Sequence, residues 1–314
     1  MINKDLIKII DINTLVISGG AMKGLLFVGC IKLLFEFNMI KRFKYYYGTS
    51  IGALVITWLN LGWTLDEIIK FSTNFPINQL LINDIELLIN NNCMTDSKTY
   101  IVILKKFITF KKFNENITFK ELYEMTSKEL NITTFSIKNN DIILLNHINT
   151  PNLKIWEGLF MSTSVPILFS PFNTNDDIYI DAGIMENFPL NRINPLNKSK
   201  TISMCICPYI CQLDQMRNLI TNKDIINYLS ELFKIFISRK QLYITDNYIR
   251  LNNNIASDMF NLNLDQIYKQ KLINLGYEQT TTQLNDIIYN LYIEQLNQNK
   301  TKYSICKYSV YNEI

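Results

Sequence analysis

A chain of 314 residues, 48% hydrophobic and 19% charged, has enough apolar material for a full core and is not a disordered or fibrous sequence. Lys and Arg number 31 against 28 Asp and Glu, and a net charge of +3 is too small and too dispersed for a nucleic-acid-binding surface. Six cysteines in a chain of this length do not form a disulfide framework, and no run approaches the ~20 apolar residues needed to cross a bilayer.

The amino terminus mixes acid and base (Lys4, Asp5) instead of pairing a basic start with an apolar stretch. We therefore expect no signal peptide and a cytoplasmic protein, with membrane contact only peripheral. Thr14 to Ser18 is a short β-type run that stops at Gly19-Gly20-Ala21-Met22-Lys23-Gly24, and Leu25 to Phe37 is apolar almost all round, as a helix covered on every side should be. The pattern then repeats. Phe43 to Tyr47 suits a strand, Gly48-Thr49-Ser50-Ile51-Gly52 a turn, and Ala53 to Leu61 a second apolar helix. Two strand-turn-helix units in succession imply a parallel sheet with helices on its faces.

Thr64 with Glu67 and Thr118 with Glu121 are capping boxes, predicting helices through Phe71 and Leu130. Between them, Pro76 to Met94 reads as an ordinary helix or as a mobile cover over a site. Lys105, Lys106, Lys111 and Lys112, interleaved with Phe107, Phe110 and Phe113, read as a helix face and its flank, with a surface for anionic lipid headgroups as the alternative. Ile132 to Lys138 and Ile142 to Asn146 flank a hairpin-like turn. Trp156, Leu159 and Phe160 line a helix that must stop before Pro166, and Ile178 to Ile180 is a strand delivering Asp181. After a strand over Thr201 to Cys207 the pattern is helical: Ile225 to Tyr248, then Asp265 to Leu275 with Gly276 as its C-terminal cap. No Pro/Gly/Ser-rich linker interrupts the chain. We expect one domain over 1–314, with a motif-bearing core of about 12–210 and a helical C-terminal part of about 211–314.

Gly48-Thr49-Ser50-Ile51-Gly52 fits the G-x-S-x-G elbow, which holds a serine on a strained turn between strand and helix, with Gly48 and Gly52 giving the space. Serine needs a base. The chain has one histidine, His147, which precedes Asp181 and lies at the end of a hairpin strand, so it reads as structural. The base is then a carboxylate, and Asp181 is the candidate because it ends a strand and is followed by Ala182 and Gly183. Asp176 and Asp177 read as loop acids, and Glu186 as solvated or supporting. The glycine loop Gly19, Gly20, Ala21 and Gly24, with Lys23 beside it, opens a helix and would offer backbone N–H groups to an oxyanion. It lacks the spacing of a nucleotide P-loop or a dinucleotide fingerprint. Cys205, Cys207 and Cys211 have no fourth ligand nearby, so no metal and no cofactor are expected.

Together these clusters resemble the patatin-like phospholipase family, with its G-G-G-x-[K/R]-G loop, G-x-S-x-G elbow and D-G-[G/A] motif in that order. Ser162-Thr163-Ser164-Val165-Pro166 is similar to the family's S-x-A-x-P segment, Asn187-Phe188-Pro189 to its N-x-P, and Ser257 to Gly276 to the closing helix region of bacterial and viral members. The resemblance implies an α/β fold, a three-layer α/β/α sandwich with a mainly parallel central sheet. It also implies acyl-ester hydrolysis by a dyad of Ser50 and Asp181, with the oxyanion held by backbone around Gly19 and Gly20. Ala21 and Ala182 stand where the pattern has glycine. The expected substrate is a phospholipid or lysophospholipid; the alternatives are an inactive lipid-binding protein and an acyltransferase of related fold.

Overall fold

The structure is a computed structural model in which residues 2–75, 93, 95–166, 168–206, 247–252 and 264–310 are described. It opens with a short helix α1 (Lys4–Ile9), capped by the Asn3 side chain, then β1 (Thr14–Ile17), the 3-10 turn Ala21–Gly24 and α2 (Leu25–Glu36). The second unit follows: β2 (Tyr45–Thr49) and α3 (Ile51–Asn60). Both strands are parallel neighbours, Val16 beside Tyr47 and Ile17 beside Gly48, and β1 is buried along its whole length. A strand covered on both faces has no polar side to alternate with, which is why Leu15, Val16 and Ile17 form an unbroken apolar run.

The capping boxes form as the sequence predicts. Thr64 opens α4 (Leu65–Asn74) and Thr118 opens α6 (Phe119–Thr126), each with both reciprocal bonds to the following glutamate. Between them lies α5 (Ser97–Thr109). The helix expected from Thr118 to Leu130 is shorter: Ser127 adopts a left-handed φ of 53° and ends it. From Glu129 the chain is instead a strand, β3 (Glu129–Ser136), because its β-branched run pairs with β2. The hairpin partner β4 (Asp141–Leu145), α7 (Ile155–Thr163), and the strands β5 (Phe172–Asn173), β6 (Ile178–Asp181), β7 (Thr201–Ile206) and β8 (Ile249–Leu251) follow.

These strands form an eight-stranded sheet among the described residues, in the order β5-β6-β3-β2-β1-β7-β8, with β4 also pairing β3. The pairs from β3 through β2, β1 and β7 to β8 are parallel, while β3–β4, β3–β6 and β5–β6 are antiparallel. This is the mixed, mainly parallel α/β architecture the sequence implies.

The C-terminal helix α8 (Gln266–Val310) corrects one expectation. Gly276 does not end a helix; it lies inside one, against Gly29 of α2. A Cβ on Gly276 would stand 2.0 Å from the Leu26 carbonyl oxygen, and one on Gly29 2.0 Å from that of Ile273. The two glycines let the backbones of α2 and α8 touch. The same helix covers the sheet edge, with the Gln279 and Gln283 side chains bonding the backbone of Asn252 and Arg250. Pro76 to Met94, apart from Cys93, and the expected helix over Ile225 to Tyr248, apart from its last two positions, lie outside the described residues. Among the described residues, no helix is long and apolar enough to cross a membrane.

Candidate active site

The register of the sheet brings the two sequence-predicted side chains together. Strand β3 carries β4 along one edge, from Ile132 to Ser136. Its other edge is shared: β2 runs parallel to it as far as Thr49 opposite Thr133, and β6 runs antiparallel to it, ending with Asp181 opposite Thr134. The carboxyl ends of β2 and β6 thus meet head to head at adjacent positions of β3. Ser50 is the next residue after Thr49.

Ser50 has φ 55° and ψ −124° and stands at the N-cap of α3. Such a φ is unusual for a residue with a side chain. The turn tolerates it because Gly52 allows α3 to lie against β1: a Cβ there would come within 2.5 Å of the carbonyl oxygens of Ile17 and Ser18. The Ser50 amide donates to Ser162 Oγ at 2.9 Å, and the Ser50 hydroxyl lies near enough to the Asp181 carboxylate to lower its pKa. Both residues are buried, Ser50 at 7% exposure and Asp181 at 2%. Asp181 also accepts from the Gly183 amide at 2.7 Å. Burial raises its pKa to about 6, against the opposing effect of the Ser50 hydroxyl and the Gly183 amide.

The glycine loop lies against this pair. A Cβ on Gly19 would be 3.3 Å from Ser50 Cβ and would strike the Asn187 side chain. Asn187 clamps the loop: its carbonyl accepts from the Gly19 amide at 2.9 Å and its Nδ2 donates to the Gly19 carbonyl at 3.2 Å. Gly19, expected among the oxyanion donors, therefore has its N–H already engaged. Gly20 and Ala21 stand at the head of the 3-10 turn, where the first amides have no acceptor within the turn itself. Ala21 takes a left-handed φ of 46°, whereas Ala182 is not among the residues with positive φ. Lys23 is buried within the turn.

Beside Ser50 opens a cavity of about 150 Å³. Ala21, Met22 and Gly24 form one side of it, and Trp58, Phe71, Phe75, Phe107 and Phe169 supply aromatic wall. Trp58, Phe71 and Phe107 pack edge to face with centroids 4.9 to 5.9 Å apart. Tyr100 enters this wall and donates to Thr163 Oγ1 at 2.7 Å; burial, aided by the Asp181 charge, pushes its phenol pKa up.

The segment Ser162 to Pro166, marked in the sequence only by its likeness to the family pattern and given no role there, ties the site together. Ser162 accepts from the Ser50 amide, and the Ser164 carbonyl accepts from the Asp181 amide at 3.0 Å, so one turn at the end of α7 positions both halves. His147 stacks on Tyr123 of α6 at 3.8 Å between centroids. The basic-aromatic patch is divided: Phe107 is in the cavity wall, Phe110 packs against Trp63 in a tilted pair at 4.6 Å between centroids, and Lys105 and Lys111 form ion pairs with Glu115 and Glu67. Asp177 is tied up locally, accepting from Ser136 and from the Lys138 amide, and Glu186 pairs with Arg192 at 2.8 Å.

A serine elbow set beside a buried aspartate at the carboxyl ends of a mainly parallel sheet defines the class, and comparison with known proteins agrees with it. The patatin-like phospholipase family model matches residues 15–192, and the chain belongs to that family. It is 32% identical over 199 residues to Probable lipid hydrolase 463L of Invertebrate iridescent virus 6, covering 60% of this chain and 67% of the relative. To Triacylglycerol lipase 4 of Saccharomyces cerevisiae it is 24% identical over 221 residues, 61% of this chain but only 23% of that protein. The fold is similar to that of VipD from Legionella pneumophila, with a TM-score of 0.58 at 16% identity over 88% of this chain and 67% of that one. The type III effector ExoU of Pseudomonas aeruginosa gives a TM-score of 0.51 at 16% identity, covering 88% of this chain and 53% of that one.

Proposed function

We propose that this protein is a serine lipid hydrolase that cleaves fatty acyl esters of phospholipids or lysophospholipids through a Ser50–Asp181 dyad. The observation that carries the reading is the placement of the Ser50 hydroxyl, on an elbow beside an apolar cavity, near the buried carboxylate of Asp181. An aspartate at its ordinary pKa is a weak base; one raised to about 6 is closer to neutrality and takes the serine proton more readily. Ser50 Oγ attacks the ester carbonyl as Asp181 accepts the proton. The oxygen of the tetrahedral intermediate is met by the Gly20 and Ala21 amides, each such donor being worth about 3 kcal/mol.

Collapse of the intermediate expels the alcohol, which takes the proton from Asp181 and leaves the acyl group on Ser50. Asp181 then activates water, which releases the fatty acid and restores the serine. The acyl chain occupies the cavity walled by α3, α4 and α5. Peripheral contact with a lipid surface, through which substrate reaches Ser50, belongs to the same proposal.

Labelling with a fluorophosphonate and release of fatty acid from lysophospholipid micelles test it. Wild-type protein should do both, Ser50→Ala neither, and His147→Ala both at near wild-type rate. Folded wild-type protein that is neither labelled nor active on any acyl ester would end the reading, as would loss of activity in His147→Ala alone.

A further inference from the structure

The cavity is apolar except at a few places, and these sort by whether their hydrogen bonds are made. Ser50 stands beside Asp181, and Tyr100 bonds Thr163. Three other groups remain in the same wall. Trp58 Nε1 and Ser72 Oγ are buried and have no hydrogen-bond partner among the described residues. Lys269 is 6% exposed; its ammonium donates to the carbonyls of Thr73 and Phe75 at 3.1 and 2.9 Å, and no carboxylate lies within ion-pair distance of it among the described residues.

These groups belong to one region. Ser72 precedes Thr73 at the end of α4, where Lys269 reaches in from α8, and Trp58 packs on Phe71 of the same turn at 5.6 Å. All three can donate: an indole N–H, a hydroxyl, and the third N–H of an ammonium with two already used. A buried cation with no counter-ion among the described residues, beside two donors unfilled among them, is a poor wall for hydrocarbon and a good one for an anion. Along α3, Trp58 lies about 12 Å from Ser50 at 1.5 Å rise per residue.

We propose that Trp58, Ser72 and Lys269 form a subsite for an anionic oxygen group carried by the substrate, at the end of the cavity remote from Ser50. This rests on the ester-hydrolase reading above. Burial lowers the Lys269 pKa, and a bound anion would raise it again. The anion has two chemical sources: a carboxylate at the far end of the acyl chain, or the phosphate of a lysophospholipid head group folded back toward the wall.

Two matched substrate pairs distinguish them: the para-nitrophenyl ester of nonanoic acid against the mono-ester of azelaic acid, and monoacylglycerol against lysophosphatidate of the same chain. Wild type should prefer the anionic member of one pair by about tenfold in kcat/KM, the order set by one hydrogen bond to a charged group. That preference should vanish in Lys269→Met, persist in Lys269→Arg, and shrink in Ser72→Ala, which retains the α4 carbonyl contacts and decides the matter if Lys269→Met fails to fold. Equal losses for neutral and anionic members would make Lys269 a helix cap only and overturn the proposal. So would a wild type that turns over neutral esters with no anionic preference in either pair, a result that leaves the hydrolase reading intact.

Discussion

Asp181→Asn separates the chemical use of the buried carboxylate from its thermodynamic cost. Burial raises the Asp181 pKa from 3.8 to about 6. At 1.36 kcal/mol per pH unit this difference costs the folded protein about 3 kcal/mol once the group is ionised. The sign follows from linkage. A group whose folded pKa lies above its unfolded value binds its proton more tightly in the native state, so its contribution is fully present below about pH 4 and is lost as pH rises through about 6. Asparagine keeps the acceptor oxygen for the Gly183 amide and the Ser50 hydroxyl but carries no charge to desolvate. Urea unfolding followed from about pH 4 to about pH 8 should show the variant and wild type equally stable at the acid end. At the alkaline end the variant should be the more stable by about 3 kcal/mol, with no ester turnover at any pH. A stability difference that does not change with pH, or a variant weaker at about pH 8, would refute the burial argument.

The same pKa sets a rate profile: kcat/KM on a neutral ester should rise tenfold per pH unit below about 6 and level off above it, and an inflection near neutral pH that disappears in His147→Ala would point to imidazole instead. Ala21→Gly removes a methyl from a left-handed residue at φ 46°. Its relief of about 1–2 kcal/mol outweighs the added unfolded-chain entropy of glycine, so thermal unfolding should show equal or slightly higher stability. Gly276→Ala, which would stabilise an isolated helix, should here cost about 1–3 kcal/mol in chemical denaturation, since the new methyl meets the Leu26 carbonyl at 2.0 Å. Ser162→Ala strips the Ser50 amide of its acceptor; the orphaned buried donor should cost about 1–3 kcal/mol of stability. Fluorophosphonate labelling should slow with it, because the elbow is no longer held.

Features imposed by local backbone geometry were legible in the sequence. The elbow and the glycine loop are written in consecutive residues because a strained turn against a strand admits few alternatives, and the capping boxes because the two bonds lie within one turn. Features that depend on partners distant in sequence were not. Gly276 at the end of an apolar segment looks like a helix cap, and only the presence of Gly29 on α2 shows it to be a crossing point. The helix from Thr118 stops at Thr126 because the residues beyond it are claimed by β2, a competition invisible along the chain. Ser162 and Asn187 are marked in the sequence only by likeness to the family pattern, and their task shows once the fold sets one beneath the Ser50 amide and the other across Gly19.

The meeting of Ser50 and Asp181 is a property of the sheet more than of the loops that carry them. Both positions follow from β3, which pairs Thr133 with Thr49 and Thr134 with Asp181. Shifting β6 by one residue against β3 would turn Asp181 to the other face and break the contact entirely. That register is held by β3 being paired on both edges, and by the Thr134 hydroxyl, which donates to the carbonyls of Ile180 and Met161 at 2.9 and 3.2 Å. The unfavourable terms of the site, a left-handed serine, a left-handed alanine and a buried carboxylate, are each of order 1–3 kcal/mol. They persist because the strands leading into them cannot move independently. Insertions in the connection after Pro189 should therefore leave the geometry of the pair unchanged, whereas a proline at Thr134, which deletes a ladder donor in the shared strand, should separate Ser50 from Asp181 without touching either.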